Sequence, residues 1–308
     1  MNILFLGGAK RVSLAERFVK AGEVLGHNVN VFSYELNPQV PFTFVGKIII
    51  GKKWHDPRII EHLLQIVKEF KISFVIANVD QATPVLASLN ESDPTLGLIT
   101  SSVEACNIFL DKLIMHAKCE ELGIPCIPLS YADFPMFLKP RHGSASQGTY
   151  LVDDNAYLAY LMERIDDNAY IRERYINGVE YSVDAYVSRN GTFVGAVPRI
   201  RSQITGGEST TATIVRDSEI LELTEKITNS LELIGPITLQ FMREKDRLFF
   251  MELNPRFGGG VIASIEAGFD IPRLMITDYL GMTLPLLHHY DQLIMTRYYR
   301  EVFHEIDY

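Results

Sequence analysis

LFFMELNPRFGGG, residues 248–260, decides the fold. It opens as an apolar strand and then sets Glu252, Asn254 and Arg256 at alternate positions. Alternate side chains of a strand share one face. One face therefore carries a carboxylate, an amide and a guanidinium in a row, just past the buried segment 248–251. Pro255 and the glycines 258–260 end the strand. A carboxylate and an amide oxygen suit a hard cation such as Mg²⁺, and an adjacent arginine suits phosphate, which it holds bidentately. The preceding strand ITLQFMR, residues 237–243, offers Gln240 as a further oxygen ligand, and residues 242–247 read as the hairpin turn joining the two. Taken alone, the stretch fits equally well a strand end with a structural ion pair. The rest of the chain has to decide.

The 308 residues suffice for two or three packed subdomains. A hydrophobic content of 47% with 22% charged residues is that of a soluble globular chain. The net charge of −9, with no basic block, argues against a nucleic-acid surface. No apolar run approaches 18 residues, so no membrane span is expected, and residues 1–6 are too short for a signal peptide. Cys106, Cys119 and Cys126 are too few for a disulfide framework and read as reduced, buried thiols of a cytoplasmic protein. No Cys or His stands at zinc-finger spacing beside them.

From the N-terminus, strands at 2–6, 28–33, 47–50 and 73–77 alternate with helices at 12–25 and 57–70. That alternation predicts a parallel, doubly wound sheet. The loop Gly7-Gly8-Ala9-Lys10-Arg11 lacks dinucleotide-fingerprint spacing, while Glu35 stands where a dehydrogenase would place its ribose acid. A dehydrogenase is thus a minor alternative. A capping signal at Ser101 or Ser102 leads to a helix over 111–122, stopped by Gly123.

A short strand, 135–139, ends on Lys139 and is followed by the glycine- and serine-rich loop 140–148 and a strand at 149–152. Such a loop folds over phosphates, or is a plain hairpin connection. A helix at 155–165, strands at 170–175, 180–187 and 192–197, a loop over 205–211 and a helix at 218–233 follow. Arg199 and Arg201 share one strand face. Short helices at 261–267 and 272–280 and a final strand at 294–303 complete the chain.

Lys139, the glycine-serine loop, Glu173-Arg174-Tyr175-Ile176, Glu180, Gln240 and ELNPR occur in this order. Together they resemble the ATP-grasp superfamily, most nearly one ATP-grasp unit of carbamoyl-phosphate synthetase large subunits. The resemblance covers nearly the whole chain. It implies an N-terminal parallel α/β domain (1–105) followed by an ATP-grasp fold of two α+β subdomains, one with the lid loop (106–185) and one with the metal site (186–308). It also implies roles. Lys112 and Lys139 contact ATP phosphates; residues 143–148, including Gly143, Ser144, Ser146 and Gly148, form the lid. Glu173, Tyr175 and Ile176 match the hinge whose backbone pairs with adenine, and Glu180 matches the ribose acid. Gln240, Glu252 and Asn254 match the Mg²⁺ ligands, with Mn²⁺ a substitute. Arg256 matches the arginine beside the transferred phosphoryl group, and Arg199 and Arg201 read as phosphate or acyl-phosphate contacts.

The chemistry so implied is a carboxylate–amine ligase. A carboxylate attacks the γ-phosphate of ATP, and an amine then displaces phosphate from the acyl phosphate. Cations must converge on the assembled negative groups, and a lid must exclude water. A phosphotransferase on the same fold and a non-catalytic nucleotide-binding protein are the alternatives. Two departures matter: only 129–138 separates Pro128 from Lys139, so that subdomain is trimmed, and one unit does not suffice for carbamoyl phosphate synthesis. The glycines 258–260 either place N–H donors on a substrate carboxylate or allow tight packing of helix on strand. The partners expected are a small-molecule carboxylate, such as an amino acid, a peptide or a sugar acid, and an amine. A homodimer stays open.

Overall fold

In the computed structural model, which describes residues 1–143, 147–205 and 208–305, the chain builds three sheets. The first consists of β1 (Asn2–Leu6), β2 (Asn30–Glu35), β3 (Lys47–Ile50) and β4 (Phe74–Ala77), in the order β3-β2-β1-β4 and parallel throughout. Ile3 to Leu6 and all of β4 are buried, as expected where helices cover both faces of a parallel sheet. Helices α1 (Val12–Val24) and α2 (Ile59–Glu69) make the crossovers. The chain turns from one side of β1 to the other before β4, so the crevice beyond the C-terminal ends of β1 and β4 is the topological switch point.

Three helices follow. α3 (Ala82–Ser92) is absent from the sequence reading because its apolar positions do not form a narrow stripe: Ala82, Thr83, Val85, Leu86, Ala87 and Leu89 are all buried. The helix expected over 111–122 is present, and a further one precedes it. α4 (Val103–Leu110) is capped by Ser102, whose Oγ accepts the Ala105 N–H at 3.1 Å. Asp111 then takes an extended conformation, breaks the helix and caps α5 (Lys112–Glu121), accepting the N–H groups of Leu113 and Ile114.

The second sheet is small and antiparallel. β5 (Met136–Pro140), β6 (Tyr150–Val152) and β7 (Tyr170–Arg174) lie in the order β6-β5-β7, and α6 (Asn155–Met162) closes a core of Met136, Leu138, Val152 and Leu161. The third sheet contains β8 (Val179–Val187), β9 (Phe193–Thr205), β10 (Glu208–Ile214), β11 (Gly235–Glu244), β12 (Arg247–Asn254) and β13 (Ile294–Thr296), in the order β12-β11-β8-β9-β10-β13. Its alternating residues face two cores. Val183, Ala185 and Val187 pack with α4, α5 and α7 (Ser218–Ser230). Tyr186 instead joins the first sheet, α8 (Val261–Glu266) and α9 (Ile271–Tyr279) in one continuous core.

Four expectations are corrected. β8 hydrogen-bonds β9 and β11, so it belongs to the large sheet, and a boundary at 185 would cut through it. The stretch expected as a strand over 192–197 and a loop over 205–211 is the hairpin β9–β10, whose strands carry polar side chains on both sides and so lack a clean alternation. The last strand is three residues long, Ile294 to Thr296, with one flanking backbone bond to β10 at each end, from Leu293 and Arg297; Tyr298, Tyr299 and Phe303 beyond it are exposed. Finally, the boundary near 105 divides the sequence but not the core, since the first sheet shares its interior with α8 and α9.

Candidate functional site

β11 and β12 pair so that Gln240 lies opposite Glu252 and Thr238 opposite Asn254. Between Gln240 and Phe241 the register shifts, leaving Met251 as the extra residue of a bulge. Met251 and Glu252 consequently line the same cavity although they are adjacent in sequence. The face divides into two parts. Phe249, Met242 and Met251 form an apolar patch with Ile127 and Ile176, and Glu252, Gln240 and Asn254 form a polar one.

The amides of the polar part are oriented by carboxylates. Gln240 Nε2 donates to Glu180 Oε1 at 2.8 Å, and Asn254 Nδ2 donates to Glu252 Oε1 at 3.2 Å. Each amide oxygen is thereby turned away from its carboxylate partner, as a ligand to a hard cation requires. Among the described residues, no group of three or more His, Cys, Asp or Glu could hold a metal ion. One carboxylate with two amide oxygens suits an ion that takes its remaining ligands from phosphate and water.

The first cavity, of about 220 Å³, lies between the small sheet and the large one. At its apolar end, Arg174 donates its N–H to Pro128 O and Tyr175 donates its N–H to Pro135 O, at 2.9 and 3.1 Å. The Ile176 N–H, next along the chain, has no acceptor among the described residues. At the polar end stand Lys112 and Lys139, both buried. The Lys112 Nζ donates to Gly143 O at 2.9 Å, and its backbone N–H donates to Arg141 O, which ties the start of α5 to the loop after β5. Asp111 secures the same junction through Arg141, at 2.5 Å. Burial pulls the Lys112 ammonium below the usual lysine range and Lys139 adds to this, while Glu252 works in the opposite direction.

Lys139 departs from expectation. A lysine at a strand end before a turn should reach solvent or ligand. Instead its Nζ is 2.8 Å from Glu173 Oε1, which also takes His116 Nε2 at 2.8 Å. Glu173 is 2% exposed, so its side chain is taken up by this buried pair. Burial pushes the Glu173 carboxyl up, but the Lys139 charge and the bonds from His116 and Lys139 outweigh it and hold the group below the ordinary glutamate range. Glu180, the expected ribose acid, receives Arg201 Nη1 and Gln240 Nε2 on the same oxygen, Oε1.

A second cavity, of about 270 Å³, adjoins the first and shares Arg201, Gln240 and Glu252 with it. Its far wall is the switch-point crevice, with Arg11 after β1 and Asn78 and Asp80 after β4. Arg11 reaches across to Gly258 O at 3.2 Å and to Asn78 O at 3.4 Å. Arg256 is corrected here. β12 ends at Asn254, so Arg256 does not continue its face; its Nε donates to Asp80 Oδ1 at 2.5 Å and its Nη1 to Phe257 O. Arg199 is 2% exposed and pairs with Asp184, Nε to Oδ2 at 2.9 Å, while Ser264 Oγ donates to the same oxygen at 2.7 Å. The glycine loop lies directly on this pair: a Cβ on Gly260 would sit 2.5 Å from the Arg199 guanidinium. Close packing on this pair thus accounts for Gly258 and Gly260.

The structure thus brings Lys112, Lys139, Gly143, Glu173, Tyr175, Ile176, Glu180, Arg201, Gln240 and Glu252 to one cavity. Asn254, Arg199 and Arg256 lie in the adjoining one. Gly148, at φ +69°, packs near Pro140 and the Tyr170 hydroxyl. Ser144 and Ser146 lie outside the described residues. Glu35 accepts from the Ser33 hydroxyl at 2.6 Å, and burial raises its carboxyl while that bond and the N–H groups of Ala9 and Gly8 lower it. It closes its own loop, which removes the support for a dinucleotide site. Arg11, Asn78, Asp80 and His116 are not among the site residues expected from the sequence. The first three had a usable signal, since each follows a buried parallel strand at its C-terminal end.

Residues 167–300 match a family model described as ATP-grasp in the biosynthetic pathway with Ter operon. The chain is 22% identical over 260 residues to the C-terminal section of the carbamoyl phosphate synthase large chain of Aquifex aeolicus, covering 76% of this chain and 48% of that one. It is 20% identical to the arginine-specific large chain of Bacillus subtilis, over 68% of this chain and 22% of that one. It thus spans less than half the length of these relatives. Among solved structures, N5-carboxyaminoimidazole synthetase from Staphylococcus aureus complexed with ADP superposes with a TM-score of 0.76 at 18% identity, covering 95% of this chain and 81% of that one. The chain has the ATP-grasp fold and resembles a single ATP-grasp unit of carbamoyl phosphate synthase large chains.

Proposed function

We propose that this ATP-grasp unit is an ATP- and Mg²⁺-dependent ligase, joining a carboxylate to an amine through an acyl phosphate. The observation that carries the reading is the junction of two cavities at Arg201, Gln240 and Glu252. One cavity has an apolar end and a buried lysine pair, which suits a nucleotide. The other is lined by arginines and suits an anionic second substrate.

In this reading adenine lies on Ile127, Ile176, Met242 and Met251, with the hinge N–H and C=O groups at its edge. Glu180 faces the ribose, and Lys112, Lys139 and Arg201 draw the phosphates toward the junction. Glu252, Asn254 and Gln240 would hold Mg²⁺, or Mn²⁺ in its place, and the ion would supply charge neutralisation for the phosphates. A carboxylate oxygen from the second cavity attacks the γ-phosphorus, the bond to the β–γ bridging oxygen breaks, and ADP leaves. The amine then attacks the acyl carbon, phosphate departs with the C–O electrons, and the amine loses a proton. The arginines lower the repulsion between carboxylate and triphosphate.

The test is product analysis with a panel of carboxylates. ADP and phosphate are expected, together with an acyl hydroxamate when hydroxylamine replaces the amine. Stoichiometric AMP and pyrophosphate would overturn the mechanism. A stable phosphorylated hydroxyl product would assign a phosphotransferase instead.

A further inference from the structure

The second cavity contains an unmet hydrogen-bonding demand. Asn78 is 2% exposed and lines this cavity from the end of β4. Its Nδ2 donates to Ile76 O at 3.4 Å, which fixes the nitrogen on that side. Its Oδ1 is buried and has no hydrogen-bond partner among the described residues. Buried acceptors are almost always paired, and an unpaired one is destabilising. A position that retains one beside a cavity is suited to a donor brought by a ligand. Asp80, two residues further on, lines the same cavity and adds a carboxylate, while Glu252 stands at the junction.

Building on the ligase reading, we infer that the second cavity takes a substrate with the α-amino-acid arrangement of charges. Its ammonium donates to Asn78 Oδ1 and faces the Asp80 carboxylate. Its carboxylate points to the junction with the nucleotide cavity, which Arg201 and Glu252 both line. A neutral hydroxyl would also satisfy the Asn78 oxygen, but it gains less from a neighbouring carboxylate than an ammonium does. The order of preference expected is therefore amino acid, then 2-hydroxy acid, then plain carboxylic acid.

Calorimetric titration of the full chain loaded with Mg²⁺ and a non-hydrolysable ATP analogue tests this. The probes are the common L-amino acids and, for each one that binds, the matching 2-hydroxy and des-amino acids. At least one amino acid is expected to bind, with the des-amino analogue weaker by roughly tenfold to a hundredfold, the range of a hydrogen bond to a charged group. Asn78→Ala should remove most of that preference and leave nucleotide affinity unchanged, because Asn78 does not line the nucleotide cavity. The variant should melt close to the wild type, since the deleted oxygen is unpaired and the deleted nitrogen makes one long bond, to Ile76 O. Equal binding of amino acid and des-amino acid overturns the inference. So does an Asn78→Ala variant that melts lower and keeps the preference, which would mark a structural asparagine. If the analogue binds and no amino acid does, the inference fails and the ligase reading stands. If the ATP analogue itself does not bind, both fail.

Discussion

Replacing Lys139 with methionine removes an ammonium and keeps most of the stem volume. The side chains of Lys139 and Glu173 are 8% and 2% exposed, so the deletion strands a buried carboxylate. Breaking a buried pair in this way costs about 3–5 kcal/mol. His116 still donates to the same oxygen, which favours the lower end. A second limit comes from protonation. If the stranded Glu173 takes up a proton, the cost at pH 7 is about 1.4 kcal/mol for each of the roughly 2.7 units between pH 7 and the ordinary glutamate value, or about 4 kcal/mol. The expected loss is therefore about 3–4 kcal/mol, a fall of roughly 6–8 °C in melting temperature for a chain of this size.

The sign of the pH dependence follows from the depressed carboxyl. In the wild type the low Glu173 value contributes stability above the unfolded glutamate value, and this is lost as pH falls through the folded value. In Lys139→Met that contribution is already gone. The gap between variant and wild type should shrink by about 1.4 kcal/mol per unit as pH falls from 7 toward 5.5. Adding Glu173→Gln to the same chain removes the stranded charge and should recover most of the melting temperature, but not the ATP affinity that the Lys139 ammonium supplies in the proposed reading. Thermal melts of all three proteins between pH 5.5 and 8 are the assay. A single variant that melts like the wild type at pH 7, or a gap that does not narrow with acid, would refute the reasoning.

Two further outcomes are expected. Glu252→Ala should abolish the enhancement of ADP affinity by Mg²⁺ while leaving metal-free binding nearly unchanged, because the apolar end of the cavity is built from other residues; an undiminished Mg²⁺ effect in calorimetry would remove Glu252 from the metal site. Gly260→Ala should cost about 1–3 kcal/mol in a denaturant melt, because its Cβ would meet the buried Arg199 guanidinium at 2.5 Å; a neutral effect would show that the loop moves off the Arg199–Asp184 pair.

The parts of the fold legible in the sequence are those set by local period. The strands β1 and β4 are buried apolar runs, and α2 carries a clear stripe. The hairpin expected over 242–247 joined the strands that carry Gln240 and Glu252, and in the structure these two residues lie opposite each other. Failures came where period is uninformative. α3 is buried over too much of its surface to show a stripe, and β10 reads as loop because Glu208, Ser209, Thr210 and Thr211 are polar in succession. The bulge at Met251 was invisible for the same reason: one extra residue is defined by the partner strand, not by its own sequence.

The site shows a sharper limit. Each cation was expected to meet a ligand phosphate, but in the structure each is paired with a carboxylate distant in sequence: Asp80 for Arg256, Asp184 for Arg199, Glu173 for Lys139 and Glu180 for Arg201. The opening ambiguity, between a structural ion pair and a ligand site, therefore posed a choice that the folded chain does not make. A buried cation needs a counter-charge before any substrate arrives, and a pair held at a cavity wall keeps its guanidinium or ammonium in place for an incoming anion. Two kinds of pair can be separated by where they stand. Arg199–Asp184 lies beneath the glycine loop with both side chains 3% exposed or less, so it supports the wall. Arg256–Asp80 keeps about 15% exposure on each side chain and bridges the first sheet's crevice to the end of β12. A ligand that inserts there has to meet both charges at once, which a carboxylate alone does not and a zwitterion does.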